Sequence, residues 1–248
     1  MASIDTATGH AAHPDISTVR VRSIFASIAD RYELFNACSS FGAYKGWIQK
    51  VCEVADIEPT DVVLDIAGGT GDVSFAVAEK FHPRRVVCTD LVPEMLDVAR
   101  KHVEEGRGGN TPLEFQVADG QDLPFEADSF DAVTMAYGLR NMPERERALS
   151  EVLRVLKPGG SFTCLDFSTP LHPAWRAAYK LYLKNAIPLW GKVITGSSKG
   201  FRYLANSIEA YPDQAGVAAL MEEAGFTNVT WFDCTGGIAC VHVAAKPL

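Results

Sequence analysis

The sequence has no C-x-x-C pair. Its six cysteines, Cys38, Cys52, Cys88, Cys164, Cys234 and Cys240, are scattered along the chain. That spacing favours neither a zinc site nor a secreted disulfide framework, and it suits a reducing, cytoplasmic setting. The six histidines show no H-E-x-x-H pattern or other ligand spacing, so no metal is expected. No run reaches about 18 uninterrupted apolar residues. The first twenty residues lack both an apolar signal core and an Arg-rich amphipathic pattern, so neither export nor a membrane span is expected. Cations are scarce: 23 Lys and Arg stand against 31 Asp and Glu, a net charge of −8. With no basic stripe recognised in the sequence, a nucleic-acid partner is not expected.

What the chain does have is core-forming material, with 47% apolar and 22% charged residues over 248 positions. Dividing by a typical domain of about 150 residues leaves one large α/β domain or two small ones. Residues 1–16 are small and polar and read as a flexible arm, leaving residues 17–248 as a single domain. Within 17–56, Val21, Ile24, Phe25, Ile28, Tyr32 and Phe35 recur at helical spacing, and Tyr44 to Val54 forms a second helix. Together they predict an N-terminal helical cap. Beyond it, β-branched runs (VVLDI 62–66, RVVCT 85–89, LEFQV 113–117, FDAVTM 130–135, SFTCLDF 161–167) alternate with helical stretches at Asp72–Lys80, from Pro93, and at Arg145–Leu156. The last of these helices is expected to stop at Pro158-Gly159-Gly160. That alternation predicts a mostly parallel sheet with helices on both faces. Residues 170–210 read as a helical insertion over the sheet's active edge, broken by Pro188 and by a Gly191–Gly200 loop. Strands at 229–232 and 238–244, following a helix from Gln214 to Ala224, read as an antiparallel hairpin.

The strongest local signal is Leu64-Asp65-Ile66-Ala67-Gly68-Gly69-Thr70-Gly71-Asp72, a strand running into a glycine turn and then a helix. Such a turn lets a ligand approach the backbone beyond the carboxyl ends of the strands. Gly69-Thr70-Gly71 also loosely matches a dinucleotide fingerprint, but the third glycine is missing. Asp65 and Asp72 would put negative charge where a pyrophosphate wants donors. Asp90 ends the second strand, where it can accept both hydroxyls of a ribose, and Asp119-Gly120 can meet an adenine edge. Ribose, adenine and a positive charge together describe S-adenosyl-L-methionine. The cofactor-binding candidates are therefore Asp65, Gly69, Thr70, Gly71, Asp90, Asp119 and Gly120.

With these residues in place the chain resembles the ubiquinone/menaquinone biosynthesis C-methyltransferases, which are class I S-adenosylmethionine-dependent enzymes. The resemblance runs from about Ile24 to Val243. It rests most on LDIAGGTGD and Gly138-Leu139-Arg140-Asn141, with IFASIADRYELFN, LPFEADSFDAVTMAYGLRN, the Arg202–Ile208 segment and Thr235-Gly236-Gly237 in support. Departures occur at Glu33, Tyr44-Lys45, Ala136 and His242-Val243-Ala244. The resemblance implies a Rossmann-like class I methyltransferase sheet, mostly parallel with a C-terminal antiparallel hairpin, carrying the N-terminal helical cap and the helical insertion. It also implies methylation of a ring carbon of a prenylated hydroquinone, with demethylmenaquinol as the expected acceptor.

Such a ring carbon becomes nucleophilic when its neighbouring phenol ionises. With a pKa near 10 the phenol falls short at pH 7 by about 4 kcal/mol. Arg140 is the expected electrostatic aid, with Asn141 as hydrogen-bond partner and Tyr32 orienting a ring oxygen. Tyr32, Phe35, Phe41 and Trp47 on one side and Trp175, Tyr182 and Tyr203 on the other are expected to close over the ring. Other readings stay open in the sequence: a ubiquinone precursor or another small phenol as acceptor, an NAD-dependent oxidoreductase, or an inactive binding subunit. An isoprenoid tail implies peripheral contact with the inner face of a membrane, through residues 170–190. The sequence does not fix an oligomeric state.

Overall fold

The computed structural model describes residues 22–23, 25–195 and 199–248. The expected arm at 1–16, together with Val21 and Ile24, lies outside the described residues. The cap comprises α1 (Tyr32–Ser39) and α2 (Ala43–Val54). The helix predicted to run through Phe35 is interrupted, because Ala29–Arg31 is a separate 3-10 turn bounded by non-helical backbone at Ile28 and Arg31. The break lets Ala29 pack on Val92 and Met95 while Phe25 and Tyr32 meet edge to face at 5.8 Å.

Next come β1 (Val62–Ile66), α3 (Asp72–Phe81), β2 (Arg85–Asp90), α4 (Pro93–Glu104), β3 (Leu113–Val117), β4 (Phe130–Ala136), α5 (Arg145–Val155) and β5 (Leu156–Phe167). The chain ends with α6 (Pro173–Thr195), α7 (Lys199–Glu209), α8 (Gln214–Glu223), β6 (Thr227–Cys234) and β7 (Ala239–Ala245). The seven strands are ordered β3-β2-β1-β4-β5-β7-β6, parallel except for β7, which runs antiparallel to both β5 and β6. The expected mostly parallel sheet and C-terminal antiparallel pair are therefore present. Strand order reverses between β1 and β4, and a crevice opens at the carboxyl ends of strands at such a point.

Central strands are apolar because both faces are covered. On one face Trp47, Val51 and Val77 of α2 and α3 pack against Val63, Val86 and Val241. On the other, Leu149, Val152 and Met221 of α5 and α8 pack against Leu64, Val133 and Phe162. A third cluster joins Phe35 of the cap to Leu183 and Ile187 of α6 and to Phe201 and Ile208 of α7. This layer shares Phe167 with the end of β5, so the cap and the insertion meet over the sheet's carboxyl edge.

Two turn signals acted differently from expectation. Pro158-Gly159-Gly160 does not separate helix from strand. β5 already begins at Leu156 and passes through the Pro-Gly-Gly as a register shift, with Gly159 at φ 78° and its N–H bonded to Lys246 O at 3.0 Å. Nor does Pro188 break the insertion, since α6 continues through it to Thr195. Packing of Leu183 and Ile187 outweighs the hydrogen bond that proline removes. Gly191 is a close-packing residue there: a Cβ would lie 2.0 Å from the Phe201 ring. Of the expected Gly191–Gly200 loop, residues 196–198 lie outside the described residues.

The glycine turn is conformationally demanding. Gly71 has φ 92°, and a Cβ there would sit 2.6 Å from the ring of Phe75. Gly71→Ala combines left-handed strain of about 1–2 kcal/mol with overpacking of about 1–3 kcal/mol. Its melting temperature should fall by roughly 5–15 °C in calorimetry. A fall of under two degrees would show that the turn relaxes freely.

Candidate active site

Two cavities meet at the carboxyl edge. The smaller is a cleft of about 90 Å³ lined by Gly69, Asp90, Asp119, Gly120, Ala136, Gly138 and Met142. Its neighbour is a chamber of about 400 Å³ walled by the cap, α6, α7 and the ends of β4 and β5. Phe25, Tyr32, Tyr137 and Asn141 line both and form the partition. A third recess of about 40 Å³ reaches Thr70 and Asp72.

Within the cleft, Asp90 is fixed by the turn itself. Its Oδ2 accepts the Gly69 N–H at 3.0 Å and its Oδ1 accepts the Val92 N–H at 2.8 Å. Burial nevertheless raises its pKa to about 6, against the lowering influence of these bonds. Asp119 Oδ1 accepts from the Gln121 backbone and side chain. Gly120 is closely packed, since a Cβ would lie 2.6 Å from Met142 Cε and 3.0 Å from Ile66 Cγ2, so a side chain there requires Met142 to move. Among the described residues no Lys or Arg lines the cleft or the Thr70 recess, whereas Asp72, Asp90 and Asp119 do. A cleft with carboxylates and no cation suits a sulfonium nucleoside and opposes a pyrophosphate.

Two of the cofactor-binding candidates stand elsewhere. Asp65 is fully buried, with Oδ2 accepting the Ser74 hydroxyl at 2.6 Å and Oδ1 accepting the Thr134 hydroxyl at 2.8 Å. It braces β1 to α3 and β4 from behind the turn, and a ligand cannot reach it. Gly71 packs on Phe75 and lines neither cleft nor recess. Gly69, Thr70, Asp90, Asp119 and Gly120 all reach a cavity.

The chamber contains all seven aromatics expected to close over the ring: Tyr32, Phe35, Phe41, Trp47, Trp175, Tyr182 and Tyr203. Trp47 and Trp175 donate their indole N–H groups to Thr235 Oγ1 and Thr235 O, pinning this wall to the hairpin turn. Arg140 stands in the chamber wall at 2% exposure. Its Nη1 donates to Asp166 Oδ1 at 2.7 Å and to Tyr137 O at 2.6 Å, and its backbone N–H donates to Asp166 Oδ2 at 3.1 Å. Asp166 also accepts the Phe167 N–H, so two amides disperse its charge. The guanidinium stacks on Phe167 and Tyr137, with centroids 5.1 and 5.6 Å away. Burial would lower the Arg140 pKa, but Asp166 and Tyr32 hold it above the ordinary value.

Three polar atoms of the chamber residues are buried without a hydrogen-bond partner: Arg140 Nε, Tyr137 OH and Tyr179 OH. Leaving a buried donor unsatisfied costs about 1–3 kcal/mol, so an oxygen atom of a ligand or of water is stabilised at these groups. Asn141 is differently employed, since Nδ2 donates to Tyr137 O at 2.9 Å and Oδ1 accepts weakly from Tyr203 OH at 3.4 Å. It ties the partition to α7. The Tyr32 pKa is raised, chiefly by burial, with Arg140 opposing.

Sequence reasoning missed Asp166, Tyr137, Phe167 and Tyr179. The available signal was Asp166 itself, an acid inside the apolar SFTCLDF run of a central strand. Its partner lies 26 residues away, a pairing that local spacing does not show.

A model of the ubiE/COQ5 methyltransferase family matches residues 14–246. The chain belongs to that family. The ubiquinone/menaquinone biosynthesis C-methyltransferase UbiE of Teredinibacter turnerae is 41% identical over 229 residues, covering 92% of this chain and 91% of that protein. Its counterpart in Ectopseudomonas mendocina is 42% identical over 230 residues, covering 92% and 89%. Among solved structures, phosphoethanolamine N-methyltransferase 2 of Haemonchus contortus in complex with S-adenosyl-L-methionine has a TM-score of 0.60 at 16% identity. That match covers 90% of this chain and 60% of the other, a likeness of fold. This ubiE/COQ5-family methyltransferase uses S-adenosyl-L-methionine, and the cation-free cleft agrees with that donor. The oxidoreductase reading falls away.

The methyltransferase's donor affinity should depend on pH. To hold a ribose by both hydroxyls, as the sequence leads one to expect, Asp90 would have to be ionised, and its pKa is about 6 without donor. Donor binding therefore releases a proton near pH 6 and tightens as pH rises from 5 to 7. Calorimetry with S-adenosylhomocysteine, which removes the sulfonium charge from the comparison, should show this slope. A flat profile would remove Asp90 from the contact.

Proposed function

We propose that the chain methylates a ring carbon of a prenylated hydroquinone, with demethylmenaquinol as the acceptor. The observation that carries this is the chamber of about 400 Å³ whose aromatic walls enclose an arginine with an unpartnered Nε–H, one partition away from the nucleoside cleft. The relatives are named for C-methylation in ubiquinone and menaquinone biosynthesis, which supports a ring acceptor.

Asp90 would hold the ribose, Asp119 and Gly120 the adenine edge, and Gly69 and Thr70 the turn side of the donor. When bound, the donor supplies a methyl group on a positively charged sulfur. The chain's own groups prepare the acceptor. Arg140, whose charge Asp166 upholds against burial, favours the ionised form of a ring hydroxyl over the neutral one. The hydroxyl proton passes to water, the phenolate charge spreads to the adjacent ring carbon, which becomes the nucleophile, and after methylation that carbon gives its own hydrogen to water as a proton, which restores the aromatic ring. Tyr32 and Tyr137, in the partition, orient the ring against the cleft. Phe35, Trp47 and Tyr182 keep water from stabilising the separated charges of the reactants, charges that vanish on transfer.

In vitro reaction of demethylmenaquinol and of a demethylated benzoquinol with methyl-labelled donor tests the reading. Label on the naphthoquinol ring carbon at the higher kcat/KM is expected. A preference for the benzoquinol would reassign the acceptor to the ubiquinone branch, and label on neither would overturn ring methylation.

A further inference from the structure

Between Asp166 and Glu209 the sequence carries Arg176, Lys180, Lys184, Lys192, Lys199 and Arg202 and no acidic residue at all. The expectation of no basic stripe therefore fails locally: the net charge of −8 conceals a segment of 42 residues that is purely cationic. Structurally this segment is α6, α7 and their surroundings. Lys180, Lys184, Lys192 and Arg202 are exposed. Beside those lysines on α6 stand three unusually exposed aliphatic side chains, Leu181 at 65%, Leu189 at 62% and Val193 at 69%. At 100° per residue the three fall within about 120° of one another on the helix circumference, with Lys192 between them and Lys180 and Lys184 to one side.

The same face adjoins the mouth of the acceptor chamber. Phe41 lines the chamber yet is 79% exposed, and its ring lies 6.2 Å from Tyr182 and 6.5 Å from Trp190 of α6. Tyr182 OH donates to Ser39 O, joining the cap to α6 at this point. No helix among the described residues is long and apolar enough to cross a membrane. Cations within and beside an apolar strip, on a helix that does not span, are the features of a segment lying in a membrane interface.

We propose that the outer face of α6 docks on an anionic lipid bilayer, with Leu181, Leu189 and Val193 entering the headgroup boundary and Lys180, Lys184 and Lys192 meeting lipid phosphates. Charge complementarity selects the occupant. Each basic side chain near an anionic leaflet adds attraction, whereas a second copy of this chain would set lysines against lysines across a symmetric contact. The inference rests on the acceptor reading, since a quinol whose isoprenoid tail stays in the bilayer needs the chamber mouth held at the surface.

Flotation with vesicles tests it without requiring catalysis. The full chain should float with equimolar phosphatidylcholine and phosphatidylglycerol, and weakly or not at all with phosphatidylcholine alone. Leu181→Glu/Leu189→Glu/Val193→Glu and, separately, Lys180→Glu/Lys184→Glu should each lower partitioning at least tenfold. Both variants should keep wild-type turnover on a tail-less, water-soluble naphthoquinol, which also reports that they are folded. Absence of wild-type binding to the anionic vesicles, or unchanged binding by both variants, would overturn the proposal. So would a wild-type dimer in sedimentation that the triple variant dissociates, without vesicle binding. Turnover of the tail-less acceptor without flotation would leave the ring-methylation reading intact, and flotation without turnover would do the reverse.

Discussion

Replacing Arg140 with alanine should lower turnover at pH 7 roughly tenfold or more, equivalent to about 1.4 kcal/mol of barrier, while donor affinity changes by no more than about twofold. The barrier term follows from its place in the chamber. A phenol is about 4 kcal/mol short of ionisation at neutral pH, and among the described residues the guanidinium with its free Nε–H is the cation in that wall. Donor affinity survives because Arg140 does not line the nucleoside cleft. The deficit should narrow as pH rises toward about 10, where the acceptor ionises without help. A merely structural role would give a deficit independent of pH. Stability is a separate readout, because the substitution leaves Asp166 buried without its cation, a loss of about 3–5 kcal/mol. Arg140→Lys keeps a charge beside Asp166 and should recover part of the turnover. If Arg140→Ala turns over at the wild-type rate, the residue has no part in activating the ring.

Asp90→Ala should weaken donor binding roughly a hundredfold or more. Two charge-assisted hydrogen bonds to a ribose are worth about 1.5 kcal/mol each at the low end, and their sum corresponds to that factor. The carboxylate also holds the Gly69 and Val92 amides, so its removal loosens the turn that shapes the cleft. Calorimetry with S-adenosylhomocysteine measures the loss directly. At saturating donor the variant's turnover should recover toward wild type, because the acceptor chamber is untouched. An unchanged Kd would mean that the ribose is held elsewhere.

The donor side was legible because its chemistry is local. Strand, glycine turn and helix are consecutive from Leu64 to Asp72, Asp90 is the last residue of β2, and Asp119 follows the end of β3. The error at Asp65 came from the same proximity: spacing puts it beside the turn, but alternation along β1 turns it inward to Ser74 and Thr134. The acceptor side was legible in part as composition, since all seven aromatics expected over the ring line the chamber, whereas Tyr137, Phe167 and Tyr179 line it without having been expected there. Its polarity was not, because the Arg140–Asp166 pair joins the end of β4 to β5 across 26 residues. Proline and glycine misled where tertiary packing outweighed local preference, as at Pro188 inside α6 and Pro158 inside β5. The cationic segment was hidden by a whole-chain charge that averages it away.

The claim on which the chemistry turns is that the chamber makes a ring hydroxyl acidic. Spectrophotometric titration of a water-soluble naphthol, bound with S-adenosylhomocysteine, reads this directly through its naphtholate absorbance. The bound naphthol should ionise at least about one pH unit below the free compound in the wild-type protein, with the shift lost in Arg140→Ala. A bound naphthol that ionises at or above the pH of the free compound would contradict it.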